Sequence, residues 1–300
     1  MSWRVVVISS VAKLDYKMDY LVVRNQEGIK RIHPSEISTL IIESTAVSLT
    51  AYLLCELSKR KIDVIFCDEK RCPLGSFKPF YGSHDTSLKF RKQIKWCPEI
   101  KDIVWEHIVK EKIKGQAAVL QAFGKSGAEL FESYIGELRP GDETNREGHA
   151  AKVYFNSLFG LTFSRGEDCM TNAALNYGYS IIMSAFARET VSNGFATQVG
   201  IFHDNMFNEY NLACDLMEPF RPFVDYTVYK MHAEKLEHEE KMHIAGILNN
   251  KVLLADKVQY LTGAIKTYAK SVFDALCEEN IALMKFPEYE LQIYEDDSVL

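Results

Sequence analysis

Residues 203–225 read HDNMFNEYNLACDLMEPFRPFVD, and this stretch constrains how the rest of the chain must fold. It carries one imidazole, His203, upstream of two acids, Asp215 and Glu218, spaced i, i+3. On a helix that spacing puts both carboxylates on one face. An imidazole with carboxylate oxygens is a donor set suited to a divalent metal engaged in phosphoester chemistry. His203 and Glu218 cannot reach one ion from a single straight helix, since a rise of about 1.5 Å per residue would hold them roughly 22 Å apart. The chain must therefore fold back, with His203 ahead of a helix that bears Asp215 and Glu218. Pro219 and Pro222 predict a kink directly after it.

Outward from this stretch, the pattern changes once along the chain. WRVVVIS (3–9), YLVVRN (20–25), IKRIH (29–33), TLIIES (39–44) and IDVIFC (62–67) are dense in β-branched residues and predict strands. Asn25-Gln26-Glu27-Gly28 is a turn signal between two of them. One helix is expected from a cap at Ser44 or Thr45 through Leu57, and Pro73-Leu74-Gly75 punctuates the chain beyond the strand at 62–67. From about residue 85 the apolar spacing becomes helical, with Ile103, Ile108, Ile113 and Val119 among charged positions. Further helices are expected from Thr144 past Phe155, over 172–192 with a stop at Asn193-Gly194, and over roughly 245–282. The fold class is thus α+β: a small N-terminal β domain (1–82), a larger all-helical domain (83–286) and a frayed acidic tail (287–300).

Three hundred residues, 47% hydrophobic and 25% charged, support a packed core and exclude a disordered chain. The net charge of −6 argues mildly against nucleic-acid binding but does not exclude it, because charge is unevenly spread and the sign of a patch matters more than the sum. TSLKFRKQIKWCP (86–98) holds Lys89, Arg91, Lys92 and Lys95 and no acid, whereas EKLEHEE (234–240) and the last residues are acidic. Seven cysteines without regular spacing predict free thiols and a reducing, cytoplasmic setting. No segment has the roughly 18 apolar residues of a membrane span. P-loop, dinucleotide and G-x-S-x-G signatures are absent, which removes nucleotide hydrolysis, hydride transfer and the common serine hydrolases.

Each candidate residue has an ordinary structural alternative. His203 could cap a turn, and Glu218 could be a solvated acid near a helix end. Asp215 could bind a metal directly, bind through water, or orient His203. Thr144-x-x-Glu147 matches a capping box, in which Glu147 serves only its own helix. Asn172, Asn176 and Tyr179 fall on one helical stripe with Tyr177 beside it, either touching DNA or holding a loop. Arg146 and Arg221 flank acids and could bind phosphate or neutralise those acids. Lys89, Arg91, Lys92 and Lys95 could track a duplex backbone or form a solvated face.

Several blocks together resemble a known family. GIFH, FN and DLMEPFRPFVD at this spacing, TNREGHAAKVYFNSLFG (144–160), TNAALNYGYSII (171–182) and WEHIVKEKIKGQAAVL (105–120) are similar to the core DNA-integrating endonuclease of CRISPR spacer acquisition. The version it most resembles belongs to systems built around a single large effector nuclease (type II), and the likeness spans essentially the whole chain. The resemblance implies that Glu147, His203 and Glu218 are ligands of Mg²⁺ or Mn²⁺, with Asp215 and Arg146 supporting them. It implies a homodimer joined through the β domain, a small ferredoxin-like adaptation partner, and DNA as substrate; the large effector nuclease and an accessory adaptation protein are further partners to consider. The reaction implied is attack of an incoming DNA 3′-hydroxyl on a repeat-boundary phosphodiester. A plain metal-dependent nuclease or junction resolvase would use the same residues, and a non-catalytic DNA-binding scaffold would need them only for folding.

Overall fold

The computed structural model describes residues 4–77 and 83–294. The chain divides into two compact units, Met1–His84 and Asp85–Leu300. In the first, strands β1 (Arg4–Ile8), β2 (Ala12–Lys17), β3 (Tyr20–Asn25), β4 (Gly28–Ile32), β5 (Ile37–Ile42) and β6 (Val47–Leu49) precede helix α1 (Ala51–Lys59), β7 (Asp63–Cys67) and β8 (Pro73–Phe77). They form two four-stranded sheets, ordered β1-β5-β7-β8 and β4-β3-β2-β6. In the first sheet β1, β5 and β7 run parallel and β8 antiparallel. In the second, β2, β3 and β4 form an antiparallel meander and β6 joins β2 in parallel. Leu14, Leu21, Ile37, Leu40, Leu53, Leu57 and Val64 are fully buried and build one core from both sheets and α1.

The Asn25–Gly28 turn forms as expected and closes β3 on β4. Three local expectations need correction. A strand at 12–17 pairs with β3 through a two-residue turn whose Met18 and Asp19 both take left-handed backbone. That geometry matches the twist of a hairpin but carries no Asn-Gly signal in the sequence. The helix begins not at Ser44 or Thr45 but after Thr50, whose hydroxyl accepts from the Leu53 amide. Residues 47–49 are claimed instead by parallel pairing with β2. Pro73-Leu74-Gly75 lies inside β8, where an edge position spares the proline a ladder hydrogen bond.

The second unit comprises α2 (Thr86–Gln93), α3 (Pro98–Ala122), α4 (Leu130–Glu137), α5 (Arg146–Phe159), α6 (Met170–Ser192), α7 (Asn211–Met217), α8 (Arg221–Met231), α9 (His238–Ala245), β9 (Lys251–Leu254), β10 (Lys257–Tyr260), α10 (Leu261–Glu278), β11 (Pro287–Glu288) and α11 (Leu291–Tyr294). Helix α3 is the hub and packs against α4, α5, α7, α8 and α10. Trp105, Ile108, Val109, Lys112 and Gln116 recur at helical spacing on its buried side.

This unit is helical but not all-helical, because β10-β9-β11 form a three-stranded antiparallel sheet. Residues 251–260, expected inside a long helix, form a hairpin around Ala255 and Asp256, both in left-handed backbone. Leu248 and Val252 sit four apart and suggest a helical stripe, but Leu248 lies in a 3₁₀ turn (Gly246–Asn249) and Val252 in β9. The tail also needs correction. Residues 287–294 are packed: Tyr289 donates to the Pro219 carbonyl (2.8 Å), and Tyr294 lies buried against Phe223 and Thr227. Residues 295–300 lie outside the described residues.

At Gly115, α3 meets this segment with no room for a Cβ. A Cβ there would stand 2.5 Å from Cε1 of Tyr289 and 2.7 Å from Cγ of Pro222. Gly115→Ala is therefore expected to lower stability by about 1–3 kcal/mol, the usual cost of overpacking, despite alanine's better helix propensity. Thermal unfolding checks this; an unchanged or raised midpoint would show that Tyr289 does not pack on α3.

Candidate active site

The loop Gly200–Tyr210 and helix α7 are joined by one carboxylate. Asp215 is fully buried. Its Oδ2 accepts from the amides of Ile201 (2.6 Å) and Phe202 (3.1 Å). Its Oδ1 accepts from the His203 amide (3.1 Å) and contacts His203 Nδ1 at 2.6 Å. All its accepting capacity thus goes into wrapping the loop and aiming one ring. Gly200 permits the wrap, since a Cβ there would collide with the His203 carbonyl oxygen and fall 2.7 Å from Asp215 Oδ2. In this structure Asp215 orients the His203 ring and its loop.

The imidazole is half-exposed, with Trp105 of α3 edge-on to it at 5.7 Å and fully buried. The hydrogen bond its ring makes to the Asp215 carboxylate raises its pKa, against the lowering by partial burial. With Nδ1 engaged, Nε2 is the nitrogen available to a ligand. Glu218 and Glu147 are close enough that both their charges act on this ring.

Glu218 stands at the end of α7, in a single 3₁₀ turn, Glu218–Phe220, that links α7 to α8. Pro219 and Pro222 account for that break, as expected. Only 2% of the residue is exposed. Oε1 accepts from Arg221 Nε at 2.8 Å, and Oε2 meets the Lys112 ammonium at 2.5 Å. Burial pushes its pKa up, but the Arg221 and Lys112 charges outweigh burial and hold the carboxyl below its ordinary value. Arg221 stacks its guanidinium on the Tyr179 ring at 4.6 Å.

Glu147 reaches the same ammonium, 2.6 Å from Lys112 Nζ. The Thr144–Glu147 capping box does not form. Thr144 donates to the Glu137 carbonyl, and Asp142 caps α5 by accepting from the amides of Arg146 (2.8 Å) and Glu147 (3.0 Å). That substitution frees the Glu147 side chain for the site. Two carboxylates from α5 and the α7–α8 turn therefore converge on one cation, beside an imidazole with a free nitrogen.

The donor chemistry suits a hard divalent ion, because oxygens already surround a positive charge. Among the described residues, no group of three or more His, Cys, Asp or Glu side chains is placed to hold a metal ion as they stand. Lys112 escaped the sequence reading. Its signal was a lysine on the apolar stripe of α3, in register with Trp105, Ile108 and Val109.

Other candidates fall elsewhere. Arg146 pairs with Glu137 at 2.9 Å, not with the site acids. Asn172, Tyr177 and Tyr179 are buried in this structure. Asn172 donates to the carbonyls of Ser164 and Glu167 at 2.8 Å, and Arg165 bonds both Asn172 and the exposed Asn176, so these amides hold the 164–167 loop. Tyr177 packs under Lys241, and Tyr179 donates to Asp225. Lys89 pairs with Asp85 and lies over Phe195, while Arg91, Lys92 and Lys95 are exposed along a cleft of about 390 Å³. All seven cysteines are free thiols, as expected.

Comparison with known proteins places this geometry in context. Residues 5–259 match the family model described as CRISPR associated protein Cas1. The chain is 31% identical over 295 residues to the CRISPR-associated endonuclease Cas1 of Neisseria meningitidis serogroup C, covering 96% of this chain and 97% of that relative. Among solved structures, a casposase bound to integration product superposes with a TM-score of 0.75 at 19% identity, covering 93% of this chain and 91% of that one. A chain of a Cas6-RT-Cas1–Cas2 complex gives 0.72 at 17% identity, covering 94% of this chain and 36% of that one. Both are similar in fold.

Asp225, behind Tyr179, yields a pH test of the scaffold under the site. Burial pushes its carboxyl up from 3.8 to about 6, against the lowering by the Tyr179 hydrogen bond. A carboxyl raised on folding stabilises most below its unfolded pKa, and that contribution is lost as pH rises through the folded value. Asp225→Asn cannot ionise and escapes that loss. The Tm difference should therefore shift in the variant's favour between about pH 4 and pH 6, followed by calorimetry. A pH-independent difference would contradict the assignment.

Proposed function

Because this chain belongs to the Cas1 family of CRISPR-associated proteins, we propose that it is a metal-dependent DNA endonuclease and integrase that inserts short foreign DNA into a CRISPR repeat array. The observation that carries this reading is the convergence of Glu147 and Glu218 on one cation position beside the oriented His203. Glu147, Glu218 and His203 Nε2 would hold Mg²⁺ or Mn²⁺. The chemistry such an ion supplies is polarisation of a phosphate oxygen and stabilisation of charge on the leaving 3′-oxygen.

The protein's own groups prepare that site. Asp215 fixes the His203 tautomer with Nδ1 inward and Nε2 outward. Arg221, braced by Tyr179, keeps Glu218 ionised despite burial. In the reaction a 3′-hydroxyl of the incoming fragment attacks phosphorus at the repeat boundary. A new P–O bond forms as the bond to the repeat strand's 3′-oxygen breaks, and the proton passes from the attacking to the leaving oxygen. One phosphodiester replaces another, so the chemistry needs no ATP. Exposed Arg91, Lys92 and Lys95 supply local positive charge for a DNA backbone on a chain whose net charge is −6.

The structure of a Cas6-RT-Cas1–Cas2 complex supports an assembly with a Cas2-type partner, here a small ferredoxin-like protein. The N-terminal β domain, residues 1–82, would join two copies. The seven free thiols support a reducing, cytoplasmic setting; no helix among the described residues is long and apolar enough to cross a membrane.

Two outcomes test the reading. With the small partner, a repeat plasmid and Mn²⁺ or Mg²⁺, free 3′-hydroxyl fragments should give branched products without ATP. Fragments ending in 3′-dideoxy or 3′-phosphate should give none, and Glu218→Ala should abolish joining. Equal cutting with blocked ends and no joined species would leave a plain nuclease. Sedimentation at micromolar concentration should show a dimer; a monomer there would refute assembly through the first unit.

A further inference from the structure

Lys112 has no part in the chemistry above, yet it occupies the centre of the site. Its side chain leaves α3 on the buried face and is 10% exposed. Its ammonium lies 2.6 Å from Glu147 Oε1 and 2.5 Å from Glu218 Oε2. Glu218 Oε2 has no hydrogen-bond partner besides this ion pair. Arg221 cannot take over the role, because it is committed to Oε1 and to the Tyr179 face.

We propose that Lys112 is a resident counter-cation of the two carboxylates, and that a divalent ion binding there must displace its ammonium. The inference rests on the reading of Glu147 and Glu218 as metal-holding residues. An ammonium and a dication cannot share the same two carboxylates, since like charges within a few ångströms repel in proportion to their proximity. Removing the carboxylates' cationic partner without replacement would leave buried charge uncompensated, so the metal-free protein retains the lysine. A lysine suits such an exchange: its compact charge rides on a flexible four-carbon stem and can leave without moving the helix. The device keeps the acids ordered in the absence of metal. It also raises the metal concentration at which the site fills.

Titration calorimetry of Mn²⁺ into the purified full chain, without DNA, compares wild type with Lys112→Met. The variant should bind Mn²⁺ roughly tenfold more tightly or better, because a competing unit charge is gone. Its metal-free Tm should fall, and its rise on adding Mn²⁺ should exceed that of wild type. Should K112M fail to fold, the wild type decides by itself. Competitive acetylation read by peptide mass spectrometry should find Lys112 protected without metal and several-fold more reactive at saturating Mn²⁺, as for any ammonium released from an ion pair into water. Unchanged reactivity, or an equal or weaker Mn²⁺ affinity in K112M, overturns the proposal. If wild type binds Mn²⁺ and Glu218→Gln does not, such a result removes the counter-cation alone. If Mn²⁺ binds neither protein, the metal-site reading falls with it.

Discussion

An ionised carboxylate buried at 2% exposure is the constraint on which the second unit turns. Glu218 cannot stay charged inside a helical core unless positive groups are brought to it, because the cost of desolvating a lone ion is several kcal/mol. Two are supplied from different directions: Arg221 from the next turn of chain and Lys112 from α3. Each then needs its own support. Arg221 rests on Tyr179, whose hydroxyl is tied to Asp225 on α8. Lys112 is shared with Glu147, which binds α5 to the arrangement. One buried charge thus recruits α3, α5, α6 and α8 around a single point.

The loop that carries His203 is governed by a second buried acid used in the opposite way. Asp215 is fully buried like a ligand, but its oxygens are spent on three amides and a ring nitrogen of residues 201–203. Leaving buried donors such as these unmatched would cost about 1–3 kcal/mol each, so the loop and the carboxylate depend on one another. Two acids three residues apart, on one short segment, therefore do unlike work. Glu218 is held at a cation, and Asp215 is consumed by the backbone. Their different neighbours, not their chemistry, separate them.

Packing at the far end of the chain belongs to the same system. Tyr289 closes on the Pro219 carbonyl and on Gly115, clamping the turn that presents Glu218 against α3. The likeness to the Neisseria meningitidis relative runs over nearly the whole of both chains, consistent with a site assembled from segments spread between residues 105 and 294. Such a site has no local core of its own. Its geometry is a property of the complete second unit.

By itself, the sequence determined the α+β division, most strand and helix locations, and the break at Pro219 and Pro222, while its resemblance to a known family singled out Glu147, His203 and Glu218 as metal candidates. Those are encoded in local pattern and in rare residues at close spacing, which need no knowledge of distant neighbours. It did not reveal the β2–β3 and β9–β10 hairpins, whose turns at Met18-Asp19 and Ala255-Asp256 lack glycine and gain left-handed backbone only through the strands they join. Nor did it reveal that Asp142, rather than Thr144 with Glu147, caps α5, or that Asn172, Tyr177 and Tyr179 face inward. Lys112 is the clearest case. On sequence it is one of several lysines in a charged helix; only packing decides that this one points into a core where two carboxylates from 35 and 106 residues away along the chain require its charge. Tertiary structure alone settles such pairings, because burial removes the water that would otherwise leave each charge indifferent to its partner.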